Sequence, residues 1–159
     1  EGYKSAPEQA ERSIYRLDPG TGELTAAASD FLQPNGLAFS PDETRLYVAD
    51  SGTNPDDTAP AHIKVYDVEG TRLTNPTVFC RLDEGRPDGF RFDTNGNLWT
   101  SGGHAVHCFA PDGTLLGKIR IPQGVSNLTF GGPRRNRLFI TATQSVYAIY
   151  VTATGVQRP

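Results

Sequence analysis

The sequence predicts an all-β fold built from repeated units of four short strands. Two observations support this prediction. Glycine and proline recur every few residues, with 17 Gly and 12 Pro in 159 residues. That density leaves little room for long helices and favours short strands joined by turns. In addition, one pattern occurs three times: a polar residue, a short apolar strand, a tight turn and a second strand. Four-stranded units that repeat every 40–50 residues or so are typical of β-propeller blades.

The three copies begin at Asn35, Asp88 and Asn127. We take these as equivalent residues, each directly before the first strand of its copy. They lie about 50 and about 40 residues apart, which is the repeat length of propeller blades. A further pair of strands follows each copy. The excess length of the first unit falls in residues 51–61, a Pro-, Asp- and Thr-rich stretch that predicts a surface loop.

The repeats divide the chain into a partial β-propeller of about three and a half four-stranded blades. Residues 1–30 form the outer part of one blade, and residues 31–84, 85–122 and 123–159 form three further blades. A solenoid or an all-β sandwich is the competing interpretation. So few blades do not close a ring, and an open ring exposes sheet edges. We therefore expect a missing N-terminal half or a second copy to complete it. The absence of methionine agrees, because Glu1 is then not the start of translation.

Charge and hydropathy exclude two classes of partner. The chain has 15 Lys and Arg against 18 Asp and Glu and no basic stripe, so nucleic-acid binding is not expected. It has no apolar run near the roughly 20 residues needed to span a bilayer. We expect a soluble protein of the cytoplasm or the periplasm. Cys80 and Cys108 are isolated in apolar surroundings, so we expect them to be buried, with a disulfide between them as the alternative.

The chemistry is expected where the innermost strands of successive blades begin. Asn35, Asp88 and Asn127 would converge there at one mouth of the central channel. A carboxylate with amide oxygens is a hard-oxygen donor set that suits Ca²⁺, Mg²⁺ or Mn²⁺. The alternative is structural, because Asn-Gly and Asp-Gly are also common turn dipeptides.

Other conspicuous residues carry weaker expectations. His104 follows two glycines in a turn and is a candidate substrate contact, whereas His107 is expected on the surface of its strand. Trp99 is expected to pack between blades, and Asn95-Gly96 predicts a two-residue hairpin turn. The sequence has neither a helical zinc motif nor the nucleophile elbow of serine hydrolases.

Several segments together resemble the gluconolactonase/regucalcin-like (senescence marker protein) family of sugar-lactone hydrolases. Pro34-Asn35-Gly36-Leu37-Ala38-Phe39 and Pro87-Asp88-Gly89-Phe90 resemble its paired motifs. Residues 12–22, 126–132 and 138–141 are similar to the bacterial gluconolactonase type. The resemblance covers essentially the whole chain. It implies a six-bladed β-propeller, of which this chain is the C-terminal half.

The resemblance also implies site roles. Family members bind one divalent cation through a Glu, an Asn and an Asp; Asn35 matches the Asn, and Asp88 matches the Asp that is also the proposed general base. No residue here matches the Glu. No family ligand role is transferred to Asn127 or His104, which are assigned to substrate binding from their expected positions at the mouth of the channel. The implied reaction is metal-dependent hydrolysis of a gluconolactone-like sugar lactone, with Ca²⁺ preferred and Zn²⁺, Mn²⁺ or Mg²⁺ as alternatives. A non-catalytic calcium- or ligand-binding propeller and an inactive fragment of the hydrolase are the competing interpretations.

Overall fold

The computed structural model describes residues 9, 11–52 and 61–156, and these residues contain β-strands and turns but no helix. Thirteen strands form four antiparallel sheets. The first sheet pairs β1 (Ile14–Leu17) with β2 (Leu24–Ala28). The second contains β3 (Pro34–Phe39), β4 (Arg45–Asp50), β5 (His62–Glu69) and β6 (Arg72–Arg81). The third contains β7 (Phe90–Phe92), β8 (Leu98–Gly102), β9 (Ala105–Phe109) and β10 (Leu115–Arg120). The fourth contains β11 (Val125–Gly131), β12 (Arg137–Ala142) and β13 (Ser145–Tyr150).

In every sheet, strands that are consecutive in the chain are hydrogen-bonded neighbours. The prediction of an all-β fold is therefore confirmed. The two middle sheets have the expected four strands, whereas the fourth sheet has three among the described residues. Of the expected surface loop at residues 51–61, residues 53–60 lie outside the described part of the chain. Its first two residues, Ser51 and Gly52, are buried rather than exposed.

The turn at Asn95-Gly96 is longer than the expected two-residue turn. The Asp93 amide donates to the Asn97 carbonyl at 3.0 Å, and the Gly96 amide donates to the Asp93 carbonyl at 3.0 Å. Gly96 has φ +78°, whereas Asn95 is not among the residues with positive φ. This is the pattern of a type I turn followed by a glycine bulge, which needs positive φ at one position only. The Asp93 carboxylate stabilises it by accepting the Asn95 and Asn97 amides, both at 2.9 Å.

Apolar side chains from facing sheets form the core. One cluster joins the second sheet to the third, and another joins the third sheet to the fourth. Trp99 packs edge-on against Phe130 with ring centroids 5.8 Å apart, and its indole nitrogen donates to Asp93 at 2.9 Å. The prediction that Trp99 packs between sheets is confirmed. Trp99 is partly buried, whereas Phe130 is fully buried, and complete burial of such a phenylalanine contributes about 1.5–3 kcal/mol. The described residues contain no helix able to cross a membrane.

Cys80 and Cys108 are both buried and free, so the burial prediction is confirmed and the disulfide alternative is wrong. Burial raises the pKa of each thiol to about 12. The expectation for His107 is wrong, because its side chain is completely buried in β9. It stacks on Phe109 with ring centroids 6.2 Å apart, and carboxylate oxygens of the segment after β6 lie 3.8 Å from its ring nitrogens. His107 is buried because that segment covers its side chain, which strand alternation alone does not predict.

Candidate functional site

Three sheets are joined by backbone hydrogen bonds where their first strands begin. The Gly36 amide donates to the Asp88 carbonyl at 3.1 Å, and the Gly89 amide donates to the Ser126 carbonyl at 3.0 Å. Each bond connects one sheet to the next, so β3, β7 and β11 approach one another at the same end. The structure therefore brings together the chain segments that carry Asn35, Asp88 and Asn127.

The strand register corrects the equivalence of Asn127. Leu37, Phe90 and Leu128 pair with Val48, Thr100 and Ile140, which are corresponding positions of the second strands. Counting back two residues, the position of Asn35 and Asp88 is occupied in the fourth sheet by Ser126. Asn127 instead takes the position of Gly36 and Gly89. A shift of one residue turns a strand side chain to the opposite face of the sheet, so Asn127 is not equivalent to Asn35 and Asp88.

Gly36 and Gly89 serve close approach between sheets. A Cβ atom on Gly36 would lie 2.1 Å from the Asp88 carbonyl oxygen, and one on Gly89 would lie 2.0 Å from Oδ1 of Asn127. Neither glycine has the positive φ that a turn would require. The interpretation of Asn35-Gly36 as an ordinary turn dipeptide is therefore wrong, since both residues lie within β3.

Two buried serines hold the segment that carries Asp88. Oγ of Ser51 donates to the Pro87 carbonyl at 2.7 Å and accepts from Nδ2 of Asn35 at 3.2 Å. Oγ of Ser101 accepts the Asp88 amide at 3.1 Å. Ser51 is 6% exposed and Ser101 is fully buried. These contacts connect the Asn35 side chain to the backbone of Asp88 through a single hydroxyl group.

The Asp88 carboxyl group lies in an environment that disfavours its charge. Its side chain is partly buried, and this burial raises its pKa. A hydrogen bond from Asn35 acts in the opposite direction but does not outweigh the burial. A carboxylate that has lost solvent and gained one neutral donor is incompletely stabilised, so a cation beside it would be favourable.

The donor set fits part of a hard-cation site. Asn35 contributes an amide oxygen and Asp88 a carboxylate, which are ligands that Ca²⁺, Mg²⁺ and Mn²⁺ accept. In the described part of the chain, no three His, Cys, Asp or Glu side chains gather closely enough to hold a metal ion. A site formed here would thus take two protein oxygens from this chain and its remaining ligands from elsewhere.

Asn127 and His104 lie at the same end of the sheets as Asp88. Oδ1 of Asn127 accepts the amide of Leu128 at 2.8 Å. His104 is exposed in the turn between β8 and β9, where its carbonyl accepts the Ile121 amide at 2.9 Å. Its imidazole makes no hydrogen bond to another described residue. Their assignment to substrate binding stays a prediction.

Ser51, Ser101 and Ser126 were not identified as site residues from the sequence. A weak signal was present, because a small hydroxyl residue recurs near the end of the second strand of two copies. Thr141 occupies in β12 the place that Ser101 occupies in β8, and its Oγ1 lies 3.0 Å from Oγ of Ser126. The repeat therefore places a hydroxyl group beside the site position in both sheets.

The comparisons with known proteins identify one family. Its profile, described as the SMP-30/Gluconolactonase/LRE-like region, matches residues 2–144. The gluconolactonase of Zymomonas mobilis is 36% identical over 153 residues, which cover 89% of this chain and 41% of that protein. The pentonolactonase XacC of Haloferax volcanii is 30% identical, over 80% of this chain and 44% of that protein.

The fold is also similar to that of a solved gluconolactonase from Xanthomonas campestris. The two share 38% sequence identity and superpose with a TM-score of 0.82, over 92% of this chain and 46% of that one. The chain thus spans less than half the length of each of these three relatives.

Proposed function

The chain belongs to the SMP-30/gluconolactonase/LRE-like family, and from that premise we propose that it is the part of a sugar-lactone hydrolase that carries Asn35 and Asp88. The observation that carries this proposal is the pairing of an amide with a partly buried carboxylate whose pKa is raised by burial. Both groups stand at the end where three sheets meet. A carboxylate in an exposed turn would not need its backbone held by hydrogen bonds to two buried serines, as the backbone at Asp88 is.

The reaction is the hydrolysis of a cyclic ester. The oxygen of a water molecule bonds to the lactone carbonyl carbon while the Asp88 carboxylate accepts its proton. The ring carbon–oxygen bond then breaks, and the released hydroxyl oxygen takes up a proton to give a hydroxy acid. Burial raises the pKa of Asp88, whereas a cation held beside it would lower that pKa, so the base strength of Asp88 depends on the balance of the two effects. A divalent cation held by Asn35 and Asp88 would polarise the lactone carbonyl.

The substrate class follows from the relatives' names. One relative acts on gluconolactone and another on a pentonolactone, according to those names. We propose an aldonolactone of five or six carbons for this protein. Asn127 and His104 are the proposed substrate contacts from this chain, because both are exposed at the end of the sheets where Asp88 lies.

The architecture proposed for the whole protein is a six-bladed ring. Residues 1–30 supply the outer part of one blade, and residues 31–84, 85–122 and 123–159 supply three more. Exposed apolar side chains on the first and last sheets support this proposal, since a neighbouring blade would cover them. They are Leu17, Leu24, Val146, Ile149 and Tyr150. The ring is closed either by a further part of the same protein or by a second copy of this chain.

The proposal is tested by following acid release from glucono-δ-lactone by the complete gene product that contains this chain. We expect turnover to stop with EDTA and to return with Ca²⁺. Mg²⁺, Mn²⁺ and Zn²⁺ are added separately to rank the cations. Asp88→Asn should lower kcat by about 100-fold or more, as expected for loss of a general base. Asp112→Asn, in an exposed turn, is the matched control and should retain activity. Unchanged turnover in Asp88→Asn would refute the assigned role.

A further inference from the structure

The peptide group between Pro87 and Asp88 is held at both ends by serine hydroxyls from different sheets. Its carbonyl accepts from Oγ of Ser51 at 2.7 Å, and its amide donates to Oγ of Ser101 at 3.1 Å. Ser51 directly follows β4 of the second sheet, and Ser101 lies in β8 of the third. A peptide group fixed in this way has little freedom to rotate, so the starting direction of the Asp88 side chain is fixed as well.

Ser51 makes a second contact that Ser101 does not. Its Oγ also accepts from Nδ2 of Asn35 at 3.2 Å. A hydroxyl group has one hydrogen to donate and two lone pairs to accept, so Ser51 can make both bonds at once. The amide nitrogen of Asn35 donates to Ser51 and also hydrogen-bonds to the Asp88 carboxyl group, so its Oδ1 is the atom left available to a cation.

We infer that Ser51 is a positioning residue that sets the distance and orientation between Asn35 and Asp88, and so tunes the affinity of the site for a divalent cation. The inference rests on the proposed function, since it takes Asn35 and Asp88 as cation ligands. Ser51 suits this role because it is short, 6% exposed and anchored by its own backbone. Its amide donates to the Gln33 carbonyl at 2.9 Å, and its carbonyl accepts from the Arg86 guanidinium.

The experiment measures Ca²⁺ binding to the complete gene product by calorimetry. Ser51→Ala should raise Kd by about 10- to 100-fold, the usual effect of losing a residue that orients metal ligands. Ser51→Thr keeps the hydroxyl group and should restore binding. Ser40→Ala is the matched control. Its hydroxyl bonds to Asp42 and to the Arg45 amide at the opposite end of β3, so Kd should stay unchanged.

A second readout separates positioning from a general loss of stability. If Ser51 acts through the cation site, the lactonase activity of Ser51→Ala should recover as the Ca²⁺ concentration is raised. A variant whose fold is merely weakened has no such specific recovery at a temperature well below its Tm. Thermal unfolding of Ser51→Ala, Ser101→Ala and Ser40→Ala is measured alongside to set that temperature.

The outcomes distinguish this inference from the function on which it rests. An unchanged Kd in Ser51→Ala, together with loss of binding in Asp88→Asn, overturns the positioning role and leaves the proposed site intact. Ca²⁺ binding that survives Asp88→Asn overturns the proposed site and the role of Ser51 with it. Weakened binding in Ser51→Ala, its rescue in Ser51→Thr and recovery of activity at high Ca²⁺ support the inference.

Discussion

At the residue scale, single atoms decide how closely neighbouring sheets approach each other. Gly36 in β3 and Gly89 directly before β7 lack the carbon atom that would collide with Asp88 and Asn127, respectively. The two contacts differ in kind, because Gly36 faces a backbone carbonyl and Gly89 faces the tip of a side chain. A side-chain tip can rotate away, whereas a backbone carbonyl can move only if the chain that carries it moves.

We therefore expect Gly36→Ala to be more damaging than Gly89→Ala. The new methyl group would stand 2.1 Å from the Asp88 carbonyl oxygen and would push the Asp88 segment away. Overpacking of this kind costs about 1–3 kcal/mol of unfolding free energy. Urea unfolding measures that loss, and calorimetry should show weaker Ca²⁺ binding in the complete gene product. Gly117→Ala is the control, since a Cβ there meets nothing within 4 Å. Equal stability of Gly36→Ala and Gly117→Ala would contradict the close approach.

The segment between β6 and β7 carries Asp88, so the candidate site depends on this element. Two ion pairs fasten its beginning to β10: Asp83 to Lys118 and Glu84 to Arg120, each at 2.6 Å. The hydrogen bond from Lys118 lowers the pKa of Asp83, and that from Arg120 lowers the pKa of Glu84. The two serines hold its end, at Pro87 and Asp88. Ion pairs of exposed side chains contribute little, so the buried hydroxyl contacts at the end matter more.

His107 lies beneath the same segment and makes this element sensitive to acid. Burial is the largest cause that lowers its pKa, and the charge of Lys118 acts in the same direction. A hydrogen bond to the Gly102 carbonyl and the carboxylates of Asp83 and Glu84 act against that change. Among the described residues, its Nδ1 is buried without a hydrogen-bond partner. A protonated, charged ring is therefore unfavourable in the folded protein.

From this environment we expect stability to fall as the pH decreases below 6.5, the ordinary pKa of histidine. The unfolded chain binds a proton there, whereas the folded chain does so only at lower pH. Between pH 6.5 and the lowered pKa of His107 in the folded protein, the unfolding free energy therefore declines by up to about 1.4 kcal/mol per pH unit. His107→Gln should remove this part of the decline in urea unfolding measured over a pH series. His104→Gln, at an exposed histidine, should keep it. The same pH slope in all three proteins would show that His107 is not responsible.

At the scale of the whole molecule, consecutive sheets pack face to face, and among the described residues the first and last sheets have a neighbouring sheet on one side only. Val146 is 69% exposed and Tyr150 is 70% exposed on β13, and Leu17 and Leu24 are about as open on the first sheet. The middle sheets have a neighbouring sheet on each side, although Leu37, Phe39, Val78 and Leu116 on them are also exposed. Among the residues that the structure describes, the packing of sheet on sheet thus continues in one direction without closing on itself.

The isolated chain of 159 residues should accordingly self-associate. Exposed apolar sheet faces and open strand edges favour pairing with another copy. We expect the mass measured by light scattering after gel filtration to rise with protein concentration. Replacing Val146 and Tyr150 together by lysine should reduce this association, whereas Val78→Lys, on β6 of a middle sheet, should have less effect. A monomer at every concentration would count against ring closure by a second copy.

Local pattern was enough to predict the strands and the repeat and to single out Asn35 and Asp88 as candidate site residues. Turn residues and strand alternation act over a few neighbouring positions, so the all-β fold could be inferred from the order of residues alone, as could the packing of Trp99 between sheets. The local rule that Asn-Gly forms a two-residue hairpin turn was nevertheless wrong at Asn95-Gly96, where Asp93 stabilises a longer turn. The equivalence of Asn127 failed for a similar reason, because hydrogen-bond register, not spacing, decides which residue occupies the site position.

Contacts between sheets could be decided only by the tertiary structure. Ser51 lies 36 residues before Pro87, yet its hydroxyl group reaches that carbonyl and the side chain of Asn35. His107 is buried by a segment more than 20 residues earlier in the chain. Such contacts depend on how one sheet stacks on the next, and that stacking is a sum of many small packing terms that no short sequence window contains. Strand identity is a local property of the chain, whereas the geometry of the site is a property of the packed sheets.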